Sequence, residues 1–264
     1  MDKILTEPGI PAHGGRDAVP WPLRLEVDAV RRVLETVGTE GRACLDIGFR
    51  HPHAPARLRR DGGYWSSVAP DRHSAARLAA ALREEVPPLG PHGQLPFEDK
   101  QFDTVVIALG TLSGEPAADE ALVRECHRVL KAPGYLVLTV EFAKPLGLAH
   151  LLSRGRRPHG VGGRYTEAAL FDLFRHGFDW LGSRRFCRFW VRMVWLWADR
   201  RHPGHGEPAA FPCWLARRLD DALFMTRGYL LTAYARRKGW RPRQTPVLAD
   251  GRTIQEAVLH KLGR

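Results

Sequence analysis

The sequence predicts an α/β protein built on a mostly parallel sheet. From about residue 43 onward, short apolar runs alternate with segments of helical periodicity. The two clearest runs, DTVVIALG at 103–110 and YLVLTVEF at 135–142, are apolar without alternation. Strands of parallel sheets have this pattern because helices cover both faces of the sheet. The 264 residues suffice for one large domain with an insertion or for two small domains.

The elements can be placed in order along the chain. Residues 1–20 are rich in Pro and Gly and predict an extended arm. The predicted strands are 43–48, 64–69, 103–110, 135–142, 178–187 and 228–237. The predicted helices are 20–38, 73–85, 118–131, 166–177, 213–224 and a short one near 253–263.

Apolar spacing assigns the buried faces of three of these helices. The first helix should bury Leu23, Val27, Val30, Val33 and Leu34 and end at Gly38. The helix at 118–131 should bury Leu122, Val123, Cys126, Val129 and Leu130 and end at the turn 132–134. The helix at 166–177 should begin at a Thr166 cap, bury Leu170, Phe171 and Phe174, and end at Gly177.

Composition indicates which partners and which cell compartment suit the protein. The net charge is +11, which suits a polyanionic partner, but the arginines are scattered and no RNA-binding module is evident, which argues against nucleic acid. Four separated cysteines with no C-x-x-C pair favour a reducing compartment. No run reaches the ~18 apolar residues of a membrane-spanning helix. We therefore expect a cytoplasmic protein, with membrane contact limited to the surface.

Three segments, in this order, carry a resemblance to a known family. LDIG (45–48) is similar to a first-strand motif, LPFEDKQFDTVVIALGTL (95–112) to a loop that runs into the fourth strand, and ECHRVLKAPGYLVLTVEF (125–142) to a helix, turn and fifth strand. All three resemble the class I S-adenosylmethionine (SAM) dependent methyltransferases, particularly the group that contains the ubiquinone and menaquinone biosynthesis enzymes. The second and third segments are specific because each combines several elements in a fixed order.

The resemblance implies an architecture and an activity. It implies a Rossmann-like, doubly wound sheet of seven strands, mostly parallel, within a methyltransferase-like domain at 21–240. Residues 186–224 would form a helical insertion or lid before the last strand, and 241–264 would be a tail. SAM would be the cofactor, and the acceptor would be a small or lipid-like molecule.

The cofactor loop departs from the family pattern. Asp46 and Gly48 remain, but Arg50 and Pro52 stand where glycines are expected, and the ribose-binding carboxylate aligns with Ala69. The adenine-contacting Asp is replaced by Pro91, His92 or Gly93. The predicted cofactor-binding residues are Asp46, Gly48, Phe49, Arg50, Ala69, Asp71, Leu95, Pro96, Ala108 and Leu109.

These departures predict a reshaped and weaker cofactor site. Each missing hydrogen bond could cost about 1 to 3 kcal/mol. Asp71 could replace the ribose-binding carboxylate if its loop bends. Arg50 could bind the methionyl carboxylate of SAM, bind a different anion, or be a solvated surface residue. Among the candidate bases His51, His53, Glu141 and His150 none stands out, and the two adjacent histidines are too short a pattern for a metal site.

An aromatic and basic segment, RFCRFWVRMVWLWADRR at 185–201, is the most unusual stretch outside the core. As a helix it would place Phe186, Phe189, Trp190, Met193, Val194 and Trp197 on one face, with Arg188 and Arg192 off it. Such a helix could pack on the sheet, cover an apolar acceptor, or contact an anionic membrane surface through 186–197.

Three functions are consistent with these patterns. The first is an active SAM-dependent methyltransferase with a small or lipid-like acceptor. The second is a catalytically inactive relative that keeps the fold as a binding or scaffolding module, and the third, based on charge alone, is an RNA-modifying or RNA-binding protein. Ligand beside Gly48 would favour the first, and Phe49 or Arg50 filling the nucleoside volume would favour the second.

Overall fold

The helices and strands alternate along most of the chain, as the sequence predicts. A computed structural model describes residues 21–142, 164–175, 177–194, 210–222 and 228–239. The helices are α1 (Trp21–Val37), α2 (His53–Arg59), α3 (Arg72–Leu82), α4 (Pro116–Val129), α5 (Glu167–Phe174) and α6 (Ala210–Ala222), with a further helical stretch at 189–194. The strands are β1 (Ala43–Ile47), β2 (Tyr64–Val68), β3 (Phe102–Ile107), β4 (Leu130–Phe142), β5 (Arg164–Tyr165), β6 (Phe178–Phe186) and β7 (Leu230–Arg237).

The strands form one seven-stranded sheet. Its main path runs β2-β1-β3-β4-β7-β6, and the two-residue β5 pairs beside the end of β4. β7 is antiparallel to both of its neighbours, and the other pairings are parallel. The predicted Rossmann-like, mostly parallel α/β class is therefore confirmed.

Helices cover both faces of the sheet, which explains why the central strands are apolar throughout. On one face, α1 and α2 pack over alternate strand residues such as Cys44 and Val106. On the other face, α4 and α5 cover Leu45, Val105 and their neighbours. Among the described residues, helices therefore cover both faces of the parallel strands, and sheets of this kind bind ligands at the ends of their strands.

Two details of the predicted elements are wrong. Phe171, expected in the core, is 56% exposed, because α5 turns Leu170 and Phe174 inward instead. Leu130, expected in the helix before β4, already belongs to that strand, because it pairs with Phe102 across a register shift. The Thr166 cap is confirmed, since its hydroxyl oxygen accepts a hydrogen bond from Ala169 N at 3.1 Å.

The predicted face of the aromatic segment is also wrong. Phe186 ends β6, and the helical stretch begins only at residue 189, so Phe186 is not part of the helix. Val191 and Arg192 are buried, whereas Trp190 is 39% exposed. The predicted arm at 1–20, His150, Trp197 and the helix near 253–263 lie outside the described residues. Among the described residues, no helix has both the length and the apolar character needed to cross a bilayer.

Candidate functional site

The order of the strands reverses between β1 and β3. The chain passes from β1 outward to β2 and then returns to β3 on the other side of β1. Gly48 follows β1 directly and donates its N–H to Val68 O at 2.8 Å, and Ala108 follows β3 and donates to Ile47 O at 2.9 Å. Open α/β sheets bind ligands beyond the carboxyl ends of their strands at such a switch point.

Glycine is the residue type that fits at position 48, directly after β1. Its φ of +89° is a left-handed conformation that side chains rarely adopt. A Cβ built on Gly48 would overlap Thr111 Oγ1 and stand 2.9 Å from Thr111 Cβ. The Thr111 hydroxyl is buried and has no hydrogen-bond partner within the part of the chain that the structure describes. The switch point thus combines a close backbone approach with a polar atom able to bond a ligand.

A buried carboxylate fixes the loop that carries Thr111. Asp119, in the first turn of α4, is 3% exposed. It accepts hydrogen bonds from Ser113 N and Gly114 N, both at 2.8 Å, and from the hydroxyl of Tyr165 in β5. Burial and the neighbouring Asp119 raise the pKa of Tyr165, so the phenol remains a donor. This network holds the loop after β3 against Gly48.

The two residues after Gly48 take different directions. Phe49 is 1% exposed and packs in the core beneath α1 and α2. Arg50 extends to Asp71, with Nη1 2.9 Å from Oδ2, and both side chains are well exposed. Asp71 also caps α3 by accepting from Ser74 N at 2.8 Å, and this bond, with Arg50, holds the pKa of Asp71 below its usual range. An exposed pair of this kind contributes about 0 to 1 kcal/mol, so a ligand could open it.

The expected ribose position carries no polar side chain. Ala69 is fully buried and packs against Ala75 and Leu78 of α3. Its backbone pairs with the segment at 87–89, since Ala69 N donates to Pro87 O at 3.0 Å and Leu89 N donates to Ala69 O at 2.7 Å. Ala69 therefore offers a ligand no carboxylate.

The loop expected near the adenine is held by α4. Leu95 is buried and donates its N–H to Glu125 Oε2 at 3.1 Å, while Arg128 Nη2 donates to Leu95 O at 3.0 Å. Pro96, the next predicted site residue, is exposed. Glu125 and Arg128 both belong to α4, the helix that follows β3. This helix therefore fixes the loop that precedes β3.

Asp46 lies in a buried polar network between β1 and α2. It accepts hydrogen bonds from Ser67 Oγ at 2.8 Å and Arg59 Nη1 at 3.3 Å, and Arg59 also pairs with Glu84. Burial raises the pKa of Asp46 to about 7, although Arg59 and Ser67 oppose the shift. Through these contacts Asp46 holds the end of β1 to β2 and α2.

Sequence reasoning missed Glu26 of α1. Glu26 is 3% exposed, and its Oε1 accepts the N–H of Leu109, just after β3, at 2.6 Å. Burial raises the pKa of Glu26 to about 7, and the Leu109 hydrogen bond partly offsets this. The signal was present in the sequence, because Glu26 lies at helical spacing with Val30 and Val33 on the apolar face of α1.

The two buried carboxyls are expected to make the protein less stable as the pH rises. Both have a folded-state pKa of about 7, whereas unfolded Asp and Glu titrate near pH ~4. Between these values the folded state binds more protons, so the free energy of unfolding falls with rising pH. The stabilisation is complete below pH ~4 and is lost as the pH rises through about 7.

Asp46→Asn isolates one of these contributions, since the amide mimics the neutral carboxyl. Between pH ~5 and ~7 the fall in unfolding free energy should be smaller by roughly 2 kcal/mol than in the wild type. Urea unfolding at the two pH values measures the difference. Asp172→Asn, at an exposed position on α5, is the matched control and should follow the wild type. A slope for Asp46→Asn equal to that of the wild type would contradict this account.

The candidate bases remain undistinguished. His51 Nδ1 accepts from His53 N at 3.3 Å. The pKa of His53 is lowered by burial and by nearby arginines, so this ring is neutral near pH 7. Glu141 is 9% exposed at the end of β4. His51 lies in the loop after β1, His53 begins α2, and Glu141 lies near the end of β4.

Comparisons with known proteins agree with the fold. Residues 45–138 match the family model described as "Methyltransferase domain". No curated protein sequence matches the chain. The matched segment begins in β1 and ends in β4, so it contains both sides of the switch point.

Solved structures of three proteins illustrate the likeness. A putative methyltransferase from Bacillus halodurans C-125 is 16% identical, with a TM-score of 0.56 over 79% of this chain and 98% of that chain. A SAM-dependent methyltransferase from Methanosarcina mazei is 16% identical, with a TM-score of 0.54 over 77% of this chain and 96% of that chain. Geranyl diphosphate C-methyltransferase from Streptomyces coelicolor A3(2), solved with S-adenosyl-L-homocysteine, is 13% identical, with a TM-score of 0.56 over 81% of this chain and 77% of that chain. At these identities the likeness establishes the fold.

Proposed function

We propose that the protein transfers a methyl group from SAM to a small or lipid-like acceptor at the switch point. The match of residues 45–138 to the methyltransferase domain family supports this proposal. The observation that carries the proposal is the contact between Gly48 and Thr111. It brings the loops after β1 and β3 together and leaves a buried hydroxyl able to bond a ligand. The expected place of action is the cytoplasm, including the surface of a membrane.

The residues present fit SAM in a rearranged form. Gly48 lets the loop after β3 pack against the end of β1, and the Thr111 hydroxyl would supply a hydrogen bond to a cofactor bound beside it. Because Ala69 is buried and apolar, we assign the contacts to the ribose and to the methionyl carboxylate to Asp71 and Arg50. Opening their ion pair would release a cation for the methionyl carboxylate and an anion for the ribose hydroxyls.

SAM supplies a methyl group activated on a sulfonium, and its transfer is a displacement that depends mainly on alignment. The protein must therefore hold the acceptor in place and exclude water. Glu26 fixes Leu109 by accepting its N–H, so α1 positions the end of β3.

A non-catalytic binding module is the second candidate. The buried Ala69 and the Pro52 that precedes α2 favour it, because both replace residues that the family uses for SAM. The position of Phe49 argues against it, since its ring packs in the core rather than in the nucleoside volume. Binding of S-adenosylhomocysteine (SAH), the demethylated product, separates the two candidates.

Arg50→Ala tests the assignment of the polar contacts. If Arg50 binds the methionyl carboxylate, the variant should bind SAH about ten- to hundredfold more weakly, since a charge-assisted hydrogen bond contributes roughly 1.5 to 3 kcal/mol. Adenosine, which lacks that carboxylate, should bind the variant and the wild type equally. Isothermal calorimetry measures both ligands.

Arg60→Ala, which removes an exposed charge just after α2, is the matched control and should bind SAH as the wild type does. Tighter SAH binding by Arg50→Ala would mean that Arg50 obstructs the site. Absence of SAH binding to the wild type at millimolar concentration would overturn the proposed function and favour the binding module.

A further inference from the structure

A cavity opens on the side of the sheet where β1 and β3 end, the same side as Gly48. It has a volume of about 410 Å³ and lies between α1, the end of β6 and α6. This volume is within the usual range for sites that bind small molecules. Its lining includes Leu25, Arg32, Arg188, Val191, Trp214 and Arg218.

The cavity is joined to the switch point through α1. Leu25 lines the cavity and shares an apolar cluster with Leu109, the second residue beyond β3. The next residue on the helix, Glu26, binds the Leu109 backbone directly. β6 is parallel to β4, so Phe186, at its carboxyl end, stands at the same edge as the ends of β1 and β3. An acceptor in this cavity would therefore lie beside the end of β3.

The lining carries an excess of positive charge. It contains four arginines and two aspartates, and both aspartates are already engaged. Asp220 accepts from Trp190 N at 2.8 Å and Val191 N at 3.3 Å, at the start of the helical stretch 189–194. Asp28 pairs with Arg57 of α2 at 3.3 Å. Asp220 also interacts electrostatically with Arg188, and Arg185 pairs with Glu167 at 2.8 Å. The excess positive charge of the lining is therefore carried by Arg32 and Arg218.

Two arginines remain available to an anion. Among the residues that the structure describes, no carboxylate pairs with Arg32 or Arg218, and both side chains are exposed. The Arg218 guanidinium lies 5.8 Å from the ring centre of Trp214. Guanidinium groups suit planar, bidentate binding of phosphate and carboxylate oxygens.

The rest of the lining is apolar. Leu25 and Val191 are buried, and Trp214 is 54% exposed. A large exposed aromatic side chain beside an arginine-lined cavity can cover the apolar part of a ligand. The lining therefore matches a molecule with an apolar body and one anionic group better than it matches a neutral lipid.

We propose that this cavity binds the methyl acceptor and that the acceptor carries a phosphate or carboxylate on an apolar body, with Arg32 and Arg218 binding the anionic group. Naming the ligand as the acceptor rests on the proposed function, whereas the binding of the anion does not. The anionic group belongs either to a free small molecule or to a lipid headgroup.

Decyl phosphate and the uncharged decyl glucoside, both as monomers, test the proposal by calorimetry. The wild type should bind decyl phosphate at least tenfold more tightly than decyl glucoside. The double variant Arg32→Gln and Arg218→Gln should lose about tenfold or more in affinity for decyl phosphate, with little change for decyl glucoside. Arg77→Gln, an exposed arginine on α3, is the matched control and should bind both as the wild type does.

Two further measurements identify the source of the anion and distinguish the acceptor proposal from the methyltransferase proposal. Sedimentation with phosphatidylglycerol vesicles, but not with phosphatidylcholine vesicles, would identify a lipid headgroup, and failure to sediment would identify a free small molecule. Equal affinity for the two decyl compounds, or no loss in the double variant, would overturn the proposal. SAH titration of the same samples shows which proposal fails. Binding of SAH without binding of decyl phosphate rejects only the proposed acceptor site. Binding of decyl phosphate without binding of SAH rejects only the proposed methyltransferase function.

Discussion

Gly48→Ala is expected to destabilise the protein by about 2 to 6 kcal/mol and to abolish SAH binding. The φ of +89° would impose roughly 1 to 3 kcal/mol of backbone strain on alanine. The new Cβ would also overlap Thr111 Oγ1, and overpacking of this kind costs about 1 to 3 kcal/mol. Urea unfolding and calorimetry with SAH measure the two effects.

Two controls separate strain from overlap. Gly38→Ala places alanine at a similar φ of +79°, where an added Cβ meets nothing within 4 Å, so only strain remains. Adding Thr111→Ala to Gly48→Ala removes the overlapping hydroxyl and should recover part of the lost stability. Equal losses in Gly48→Ala and Gly38→Ala would show that the contact with Thr111 is not tight.

Arg128→Ala is expected to cost about 3 to 4 kcal/mol of unfolding free energy. The Arg128 guanidinium donates to Phe97 O and Asp99 Oδ1, both at 2.8 Å, and to Leu95 O and Glu125 Oε1, both at 3.0 Å. Removing it leaves two carbonyls and the Glu125 carboxylate without this partner. The loop at 95–99 should loosen, and SAH binding should weaken if this loop contacts the adenine, as the family resemblance implies.

Arg124→Ala is the matched control for this change. It removes an exposed arginine from the same helix, α4, and should alter stability by less than ~0.5 kcal/mol. Arg128→Lys should recover only part of the loss, because a lysine cannot reproduce the planar fork of donors. Unchanged stability in Arg128→Ala would show that the loop is held by its apolar contacts.

Local patterns predicted much of the fold because burial imposes them. β3 and β4 are buried on both faces and appear as unbroken apolar runs, and α4 buries Leu122, Val123 and Cys126 as its periodicity predicted. Prediction failed where a tertiary contact decides the outcome. The pairing of Leu130 with Phe102 makes β4 begin earlier than predicted. β6 runs to Phe186, so the helix that follows begins later than predicted.

The candidate site was less accessible to sequence reasoning. The family pattern identified Gly48 and the position of Ala69, and the altered loop directed attention to Arg50. Thr111 and Asp119 could not be found in this way, because their roles depend on the path of the loop after β3. Glu26 lies 83 positions from its partner Leu109, and only the packing of α1 brings the two together.

A crystal structure of the protein soaked with SAH tests the central claim most directly. We predict adenosyl density beside Gly48, within reach of the Thr111 hydroxyl, with the ion pair between Arg50 and Asp71 opened. Density for Arg50 or other protein atoms in that volume, with the pair intact at saturating SAH, would contradict it.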